Sequence, residues 1–139
     1  MTSGAYHPGA RHEMEFQFSQ EKVNQFALVS GDDNPLHVDP DFATSSRFGH
    51  TIVHGAFLTS LISRVLGREF PGMGTIYISQ KSRFLAPVAC TEKVRVVLEI
   101  IEVGERGKVT LDTQILNQSG ELVVTGEARV IAPKRGIEP

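Results

Sequence analysis

The sequence predicts one α+β domain in which a curved antiparallel sheet wraps around a single long helix. Three observations lead to this expectation. Residues 54–72 are apolar or small around most of a helical circumference, the chain after residue 74 alternates with the two-residue period of strands, and turn signals divide that part into hairpins. Because one helix cannot cover both faces of a five-stranded sheet, we expect the sheet to curl around it.

The long helix is predicted by "HGAFLTSLISRVLGREFPG". Its large apolar residues recur at helical spacing, and small residues fill most of the remaining circumference. Arg64 and Arg68 lie near its C-terminal end, where the helix dipole favours cations, and Pro71 with Gly72 ends it. The apolar stripe consists of Phe57, Leu58, Leu61, Ile62, Val65 and Leu66.

Four strands are predicted after this helix. "GTIYISQKSRFLAPV", "EKVRVVLEIIEV", "KVTLDTQIL" and "ELVVTGEARVIAP" are rich in β-branched residues, and "GERG" and "NQSG" separate the last three as turns. Gly126, inside the last strand, indicates a bulge or a close backbone approach. A curled sheet leaves an exposed edge strand, so we expect a homodimer that joins two sheets edge to edge.

The N-terminal part supplies one strand and two short helices. Residues 1–12 are expected to form a flexible arm, and "EMEFQFS" (residues 13–19) alternates as a strand. Ser19 caps a helix with Val23, Phe26, Ala27 and Val29 facing inward, and Asp39 with Pro40 begins a second helix. The domain is therefore expected to span residues 13–132, with a frayed tail at 133–139.

The composition and net charge of the chain exclude several classes of function. The chain has 139 residues, 14 basic and 16 acidic, with a formal charge of −2, which gives no electrostatic footprint for nucleic acid and no polybasic membrane signal. No apolar run approaches the length of a membrane-spanning helix, and the N-terminus lacks a secretory signal. The single Cys90 excludes an internal disulfide, so we expect a cytoplasmic protein.

"SGDDNPLHVDPDF" places two carboxylates, an Asn-Pro turn and an imidazole within 13 residues. Taken alone, Asp32 or Asp33 is more often a turn or capping residue, and His37 a hydrogen-bonded loop histidine. Taken together, a carboxylate and the His37 imidazole form a candidate acid–base pair, and Pro35 stiffens the loop that holds them. Two adjacent carboxylates point in different directions, so only one of them is expected to belong to the pair.

These residues resemble the signature of the MaoC-like dehydratases, of the (R)-specific enoyl-CoA hydratase type. In that family an Asp, then Asn-Pro-Leu, then a His five residues after the Asp carry the chemistry. Asp32 and His37 match those positions, so the resemblance implies that they form the acid–base pair and that Asp33 is solvated or capping. "IVHGAFLTSLIS" resembles the entry into the family's central helix, and "GTIYISQKSRFLAPV" the strand after it. The similarity extends over residues 13–132 and implies the hot-dog fold, a curved antiparallel sheet around one central helix.

The resemblance implies reversible addition of water to a trans-2-enoyl thioester. Asp32 and His37 would hold one water, and the Gly55 amide at the helix N-terminus would stabilise the thioester oxyanion. Additional contacts to substrate are predicted from residues on three segments: Asn34, His54, Ser60, Lys81 and Arg83. Ser60 alternatively bonds within its own helix, and the charges of Lys81 and Arg83 alternatively lie in solvent.

No metal and no cofactor are predicted, and two other functions stay open. His50 and His54 have a zinc-compatible spacing, but the predicted helix boundary separates them and no third ligand is evident. The first alternative is a hot-dog acyl-CoA thioesterase. The second is a non-catalytic acyl-thioester-binding protein or a dehydratase subunit of fatty-acid synthase. The acyl carrier, coenzyme A or acyl carrier protein, is also open.

Overall fold

In the computed structural model, which describes residues 6–134, five antiparallel strands form one sheet in the order β1-β3-β4-β5-β2. β1 and β2 are therefore its two edges. Consecutive strands from β3 to β5 pair as a meander, whereas β1 joins β3 and β2 joins β5. The strands are β1 (Arg11–Gln17), β2 (Ile76–Phe84), β3 (Lys93–Val103), β4 (Lys108–Leu116) and β5 (Leu122–Ile131).

Four α-helices lie between β1 and β2. The first and third begin at the predicted capping residues: the Ser19 hydroxyl accepts from the Lys22 amide, and the Asp39 carboxylate accepts from the amides of Asp41 and Phe42. The last helix continues directly into a π-helical turn, Val65–Glu69. The helices are α1 (Gln20–Ser30), α2 (Pro35–Val38), α3 (Pro40–Thr44) and α4 (Gly55–Arg64).

The core forms between α4 with its π-helical extension and one face of the sheet. Leu58, Leu61, Ile62, Val65 and Leu66 are at most 3% exposed. They belong to one cluster with the inward-facing residues of the strands, which are Val94, Val96, Leu98, Ile100, Val109, Leu111, Ile115, Val124, Ala128 and Val130. The predicted α+β architecture, with an antiparallel sheet on one central helix, is thus confirmed. No helix among residues 6–134 has the length and apolar character needed to cross a membrane.

Three local predictions need correction. The first strand begins at Arg11 rather than Glu13, and the segment after Asn34 folds as the short helix α2 rather than as a loop. Val29 is 88% exposed, so it does not face the core. A residue two positions after Ala27 lies about 200° around the helix from it. Val29 therefore faces away from the side of α1 on which Val23 and Ala27 are buried.

The predicted flexible arm divides into two parts. Residues 1–5 lie outside the described residues, as do residues 135–139 of the predicted frayed tail. From Tyr6 onward the chain is attached: the Tyr6 hydroxyl donates to the Pro71 carbonyl at 2.7 Å, and the Gly9 amide donates to the Ile100 carbonyl at 2.8 Å. Residues 6–10 therefore extend the attachment of β1 towards the end of the π-helical turn.

Gly126 marks the close approach that the sequence predicted. It pairs with Ser82 across the β5–β2 ladder, and a Cβ atom built on it would stand 1.9 Å from the Lys81 carbonyl oxygen. Such a distance is far inside van der Waals contact, and the obstacle is backbone rather than a movable side chain. A glycine at this position is what allows β2 to lie against β5.

We predict that Gly126→Ala destabilises the protein by about 2–3 kcal/mol, because the two strands must separate locally to admit the methyl group. Urea unfolding monitored by circular dichroism measures the change. Gly67→Ala is the matched control, since a Cβ there meets no atom within 4 Å. An unchanged unfolding midpoint for Gly126→Ala would contradict the described β2–β5 pairing.

Candidate active site

The loop from Gly31 to Asn34 brings the candidate residues to one end of α4. Gly31 ends α1 with a φ of 83°, a left-handed conformation that glycine adopts without strain. The Asn34 side-chain oxygen accepts from the Leu36 amide at 3.0 Å and so caps α2, with Pro35 in the first helical turn. Asn34, predicted to contact substrate, thus uses its carbonyl oxygen to hold the short helix that carries His37.

His37 is held by its ring and by its backbone. Its Nδ1 lies 2.8 Å from the Ile52 carbonyl oxygen, and since a carbonyl only accepts, Nδ1 carries the proton. The Gln20 side-chain amide donates to the His37 carbonyl at 2.8 Å, and the Thr51 hydroxyl donates to the Gln20 side-chain oxygen. In neutral His37 these bonds leave Nε2 as a lone-pair acceptor.

The structure separates the two adjacent carboxylates. Asp32 is exposed, and one of its carboxylate oxygens lies within 4.8 Å of a ring nitrogen of His37. Asp33 instead lines a different depression, with Asn24 and Leu28 of α1. Asp32, rather than Asp33, is therefore the carboxylate that stands beside the imidazole.

His54 is buried behind this pair. Its ring is 1% exposed, stacks on His37 with 3.9 Å between ring centroids, and donates from Nε2 to the Asp32 carbonyl oxygen at 2.9 Å. Burial lowers the pKa of His54 below 6.5, a change that the nearby His37 reinforces and the bond to Asp32 opposes. His54 does not line the cleft described next, so the geometry does not support its predicted contact with substrate.

A cleft of about 410 Å³ opens beside His37 and the first residue of α4, Gly55. Among the hydrogen bonds of residues 6–134, none uses the Gly55 amide. As one of the orphan donors at a helix N-terminus, this amide lies where the helix dipole is positive. The rest of the wall is mainly apolar, formed by Arg47, Phe48, Ile52, Val53, Leu58, Phe84, Leu85, Ala86, Pro87 and Val88.

The other predicted contacts lie away from the cleft. The Ser60 hydroxyl donates to the Phe57 carbonyl at 2.6 Å, which is the bond within its own helix considered above. On β2, Phe84 lines the cleft, and strand alternation places Lys81 and Arg83 on the opposite face of the sheet. Neither of these charged side chains lines the cleft in this chain.

Two residues that hold or line the site, Gln20 and Arg47, were not predicted from the sequence. Gln20 opens α1 and carries no motif, yet it links His37 to Thr51. Arg47 is the cationic residue among those that line the cleft, beside Phe48 at 5.1 Å from the ring centroid. The "SRFG" turn that contains Arg47 lies between the two motifs, so its nearness to the site was the one available signal.

Comparison with known proteins supports the resemblance to the MaoC-like dehydratases. The family model described as "MaoC like domain" matches residues 5–120. The chain is 40% identical over 134 residues to the (R)-specific enoyl-CoA hydratase of Aeromonas caviae, covering 96% of this chain and 100% of that protein.

The chain belongs to the MaoC-like family.

Solved structures agree with this assignment. The R-hydratase of A. caviae superposes with a TM-score of 0.89 at 41% identity, covering 91% of this chain and 97% of that one. The R-hydratase of Pseudomonas aeruginosa gives a TM-score of 0.90 at 36% identity over 94% of this chain and 84% of that one. The hot-dog fold implied by the sequence is therefore confirmed for this MaoC-like chain.

A metal is not assigned to this MaoC-like site. Within the described part of the chain, Asp32, His37 and His54 have potential ligand atoms that all lie within 4.8 Å of one another. However, His54 already commits Nε2 to the Asp32 carbonyl, and stacked imidazoles do not direct their lone pairs towards one point. The absence of a metal remains a prediction.

We predict that Asn34→Ala loses about 1 kcal/mol of stability, the usual effect of removing a helix cap, and loosens α2 around His37. Asn34→Ser is the matched variant, since its hydroxyl also caps a helix and should return most of the stability. Chemical unfolding of the three proteins measures this order. Equal stability of Asn34→Ala and the unmodified protein would mean that the cap does not hold the short helix.

Proposed function

We propose that the protein is an (R)-specific enoyl-CoA hydratase, a lyase that adds water reversibly to trans-2-enoyl-CoA to give (R)-3-hydroxyacyl-CoA. One observation carries the proposal: the Asp32 carboxylate lies within 4.8 Å of the imidazole of His37, and His37 lines a cleft together with Gly55, whose amide is unpaired. The relatives named (R)-specific enoyl-CoA hydratase and 3-hydroxybutyryl-CoA dehydratase support this chemistry.

Two acceptors that face one water suit the first half of the reaction. A water molecule has two O–H groups, one for the Asp32 carboxylate and one for His37 Nε2, and its oxygen lone pairs then point at the substrate C3. As the oxygen bonds to C3, one water proton passes to Asp32, and His37 orients the water and shares that proton. The electron pair of the double bond moves towards the thioester oxygen.

The Gly55 amide stabilises the negative charge that develops on that oxygen. An amide at the start of α4 is a fixed donor that needs no reorganisation, and the helix dipole adds to its effect. A Cβ on Gly55 would stand 2.9 Å from Cε1 of Phe84, so glycine also leaves the cleft open at this point. The proton held by the Asp32–His37 pair then goes to C2, which completes the addition of water. In reverse, the same steps dehydrate the (R)-3-hydroxyacyl thioester.

We infer that Arg47, rather than Lys81 or Arg83, binds the anionic part of the acyl carrier. It lies on the cleft wall, and guanidinium groups bind phosphate through paired hydrogen bonds. Coenzyme A is the proposed carrier because the relative of 40% identity is named for an enoyl-CoA. A mitochondrial relative of 35% identity from Arabidopsis thaliana is named for acyl carrier protein, so that carrier is the alternative.

A thioesterase would direct water to the thioester carbon instead of C3. A non-catalytic acyl-thioester-binding protein would not need both Asp32 and His37. Release of free thiol without loss of the enoyl absorbance would identify the thioesterase, and binding without turnover would identify the binding protein.

The protein is further proposed to act as a cytoplasmic homodimer joined through β2. The other edge strand, β1, carries charged residues in ion pairs, including Arg11 with Glu13, and such charges discourage strand pairing. β2 instead exposes Ile76, Ile78 and Phe84, each more than half accessible. An exposed apolar edge strand of this kind favours pairing with a second copy.

We predict that Asp32→Asn lowers kcat for crotonyl-CoA hydration by about 10²–10⁴-fold, because the amide no longer accepts the water proton. The loss of enoyl absorbance measures the rate. Asp33→Asn is the matched control at the next position, and it should retain activity within about threefold, since Asp33 lines another depression. A similar loss in both variants, or none in Asp32→Asn, would contradict the assignment.

We predict that the unmodified protein elutes as a dimer and that Ile78→Glu shifts it towards monomer, because a buried charge at the strand interface lacks a partner. Light scattering after size exclusion measures the mass. Ile101→Glu on β3, a residue also exposed, is the control and should remain dimeric. If both variants keep the dimer, another surface joins the two copies.

A further inference from the structure

His54 lies between two aromatic groups that connect the site to the core. On one side it stacks on His37, with 3.9 Å between ring centroids; on the other it meets Phe26 at 4.8 Å. Phe26 in turn stacks on Phe57 of α4 at 4.8 Å, and Phe57 contacts Phe18 at 5.0 Å. The ring of His54 therefore connects the ring of His37 to the aromatic residues of the core.

Stability does not explain why a histidine, rather than an apolar residue, is buried at position 54. Its Nε2–H donates to the Asp32 carbonyl, but its Nδ1 is buried without a partner, the one such side-chain atom among residues 6–134. Although His54 stands at the N-cap position of α4, its side chain makes no capping bond. A phenylalanine or leucine would fill this space without an unpaired nitrogen, which normally costs about 1–3 kcal/mol.

We propose that His54 is a positioning residue for the reaction: its ring fixes the plane of the His37 imidazole and its Nε2–H fixes the Asp32 backbone, so that both acceptors face one water. This inference rests on the proposed function. One side chain thereby sets the relative placement of two groups that lie on different sides of the Asn34–Pro35 turn. No contact between His54 and substrate is required.

The electrostatics of the site agree with this role. The groups that face His54 are His37 and Asp32, and burial keeps the pKa of His54 below 6.5. A neutral ring leaves the stacked His37 free to share a proton during turnover, whereas a charged His54 would repel it. The donor on Nε2 is retained throughout, because only the lone pair of Nδ1 would gain the proton.

Two substitutions separate the two contacts of His54. His54→Phe keeps a buried ring against His37 and removes the donor, whereas His54→Gln keeps an N–H at a similar reach and removes the ring. We expect His54→Phe to lower kcat for crotonyl-CoA about 10–100-fold with KM within about threefold, since a misplaced catalytic group affects turnover more than binding. His54→Gln should recover at least about fivefold in kcat over His54→Phe, as a conservative replacement for the donor.

Each outcome decides the inference. Selective loss of kcat in a folded His54→Phe protein, with partial rescue in His54→Gln, supports it. A folded His54→Phe protein with kcat within twofold of the unmodified enzyme overturns it, as does His54→Gln that is no better than His54→Phe. Circular dichroism and the unfolding midpoint verify that the variants are folded.

Nuclear magnetic resonance of the unmodified protein provides a test that needs no variant. With ¹⁵N-labelled histidine, His54 should be the neutral Nε2–H tautomer at pH 7, with a titration midpoint below 6.5. A charged His54 at pH 7, or an Nδ1–H tautomer, would overturn the inference. If the unmodified protein does not hydrate crotonyl-CoA, the proposed function fails, while this measurement still reports on His54.

Discussion

The hydrogen bond from His37 Nδ1 to the Ile52 carbonyl is the interaction on which the rest of the site depends. It fixes the tautomer, and the lone pair of Nε2 becomes an acceptor for solvent or substrate. Ile52 is itself held, because its amide donates to the Leu36 carbonyl at 3.1 Å and its backbone bridges Ala89. The short helix that carries His37 and the segment that enters α4 therefore hold each other in place.

The fold supplies the other half of the arrangement. α4 packs against one face of the sheet, and this packing fixes the position of its N-terminus. The amide of Gly55 is therefore held at the wall of the cleft. The aromatic contacts from Phe18 through Phe57 and Phe26 reach His54, so core packing and site geometry are continuous. In this arrangement the apolar core serves stability and also the placement of polar groups.

Local sequence signals were sufficient wherever neighbouring residues determine the structure. Ser19 and Asp39 were predicted as caps because a cap depends on amides two or three residues away, and both accept those bonds. Gly126 was predicted to mark a bulge or a close backbone approach, which are the usual reasons for a glycine inside a strand, and the structure shows the close approach. The resemblance of "DDNPLH" to the family signature selected Asp32 and His37, which the fold brings within 4.8 Å.

The predicted contacts that the geometry does not support, and the residues that the sequence did not indicate, depend on partners distant in sequence. Lys81 and Arg83 lie on the face of β2 opposite to Phe84, which lines the cleft. This orientation depends on the pairing of β2 with β5, and the alternating pattern of the strand does not reveal that pairing. The burial of His54 depends on α1, which places Phe26 over the ring. Gln20 was missed because its role arises only when α1 packs beside Thr51 and His37.

A crystal structure of the unliganded protein, at a resolution that reveals ordered water, would show whether Asp32 and His37 hold a water in common. We expect one water within about 2.6–3.2 Å of both the Asp32 carboxylate and His37 Nε2, with Nδ1 still bonded to the Ile52 carbonyl. A His37 Nε2 bonded to a protein group, or separate waters on Asp32 and His37 with none in common, would contradict the shared role of these two residues.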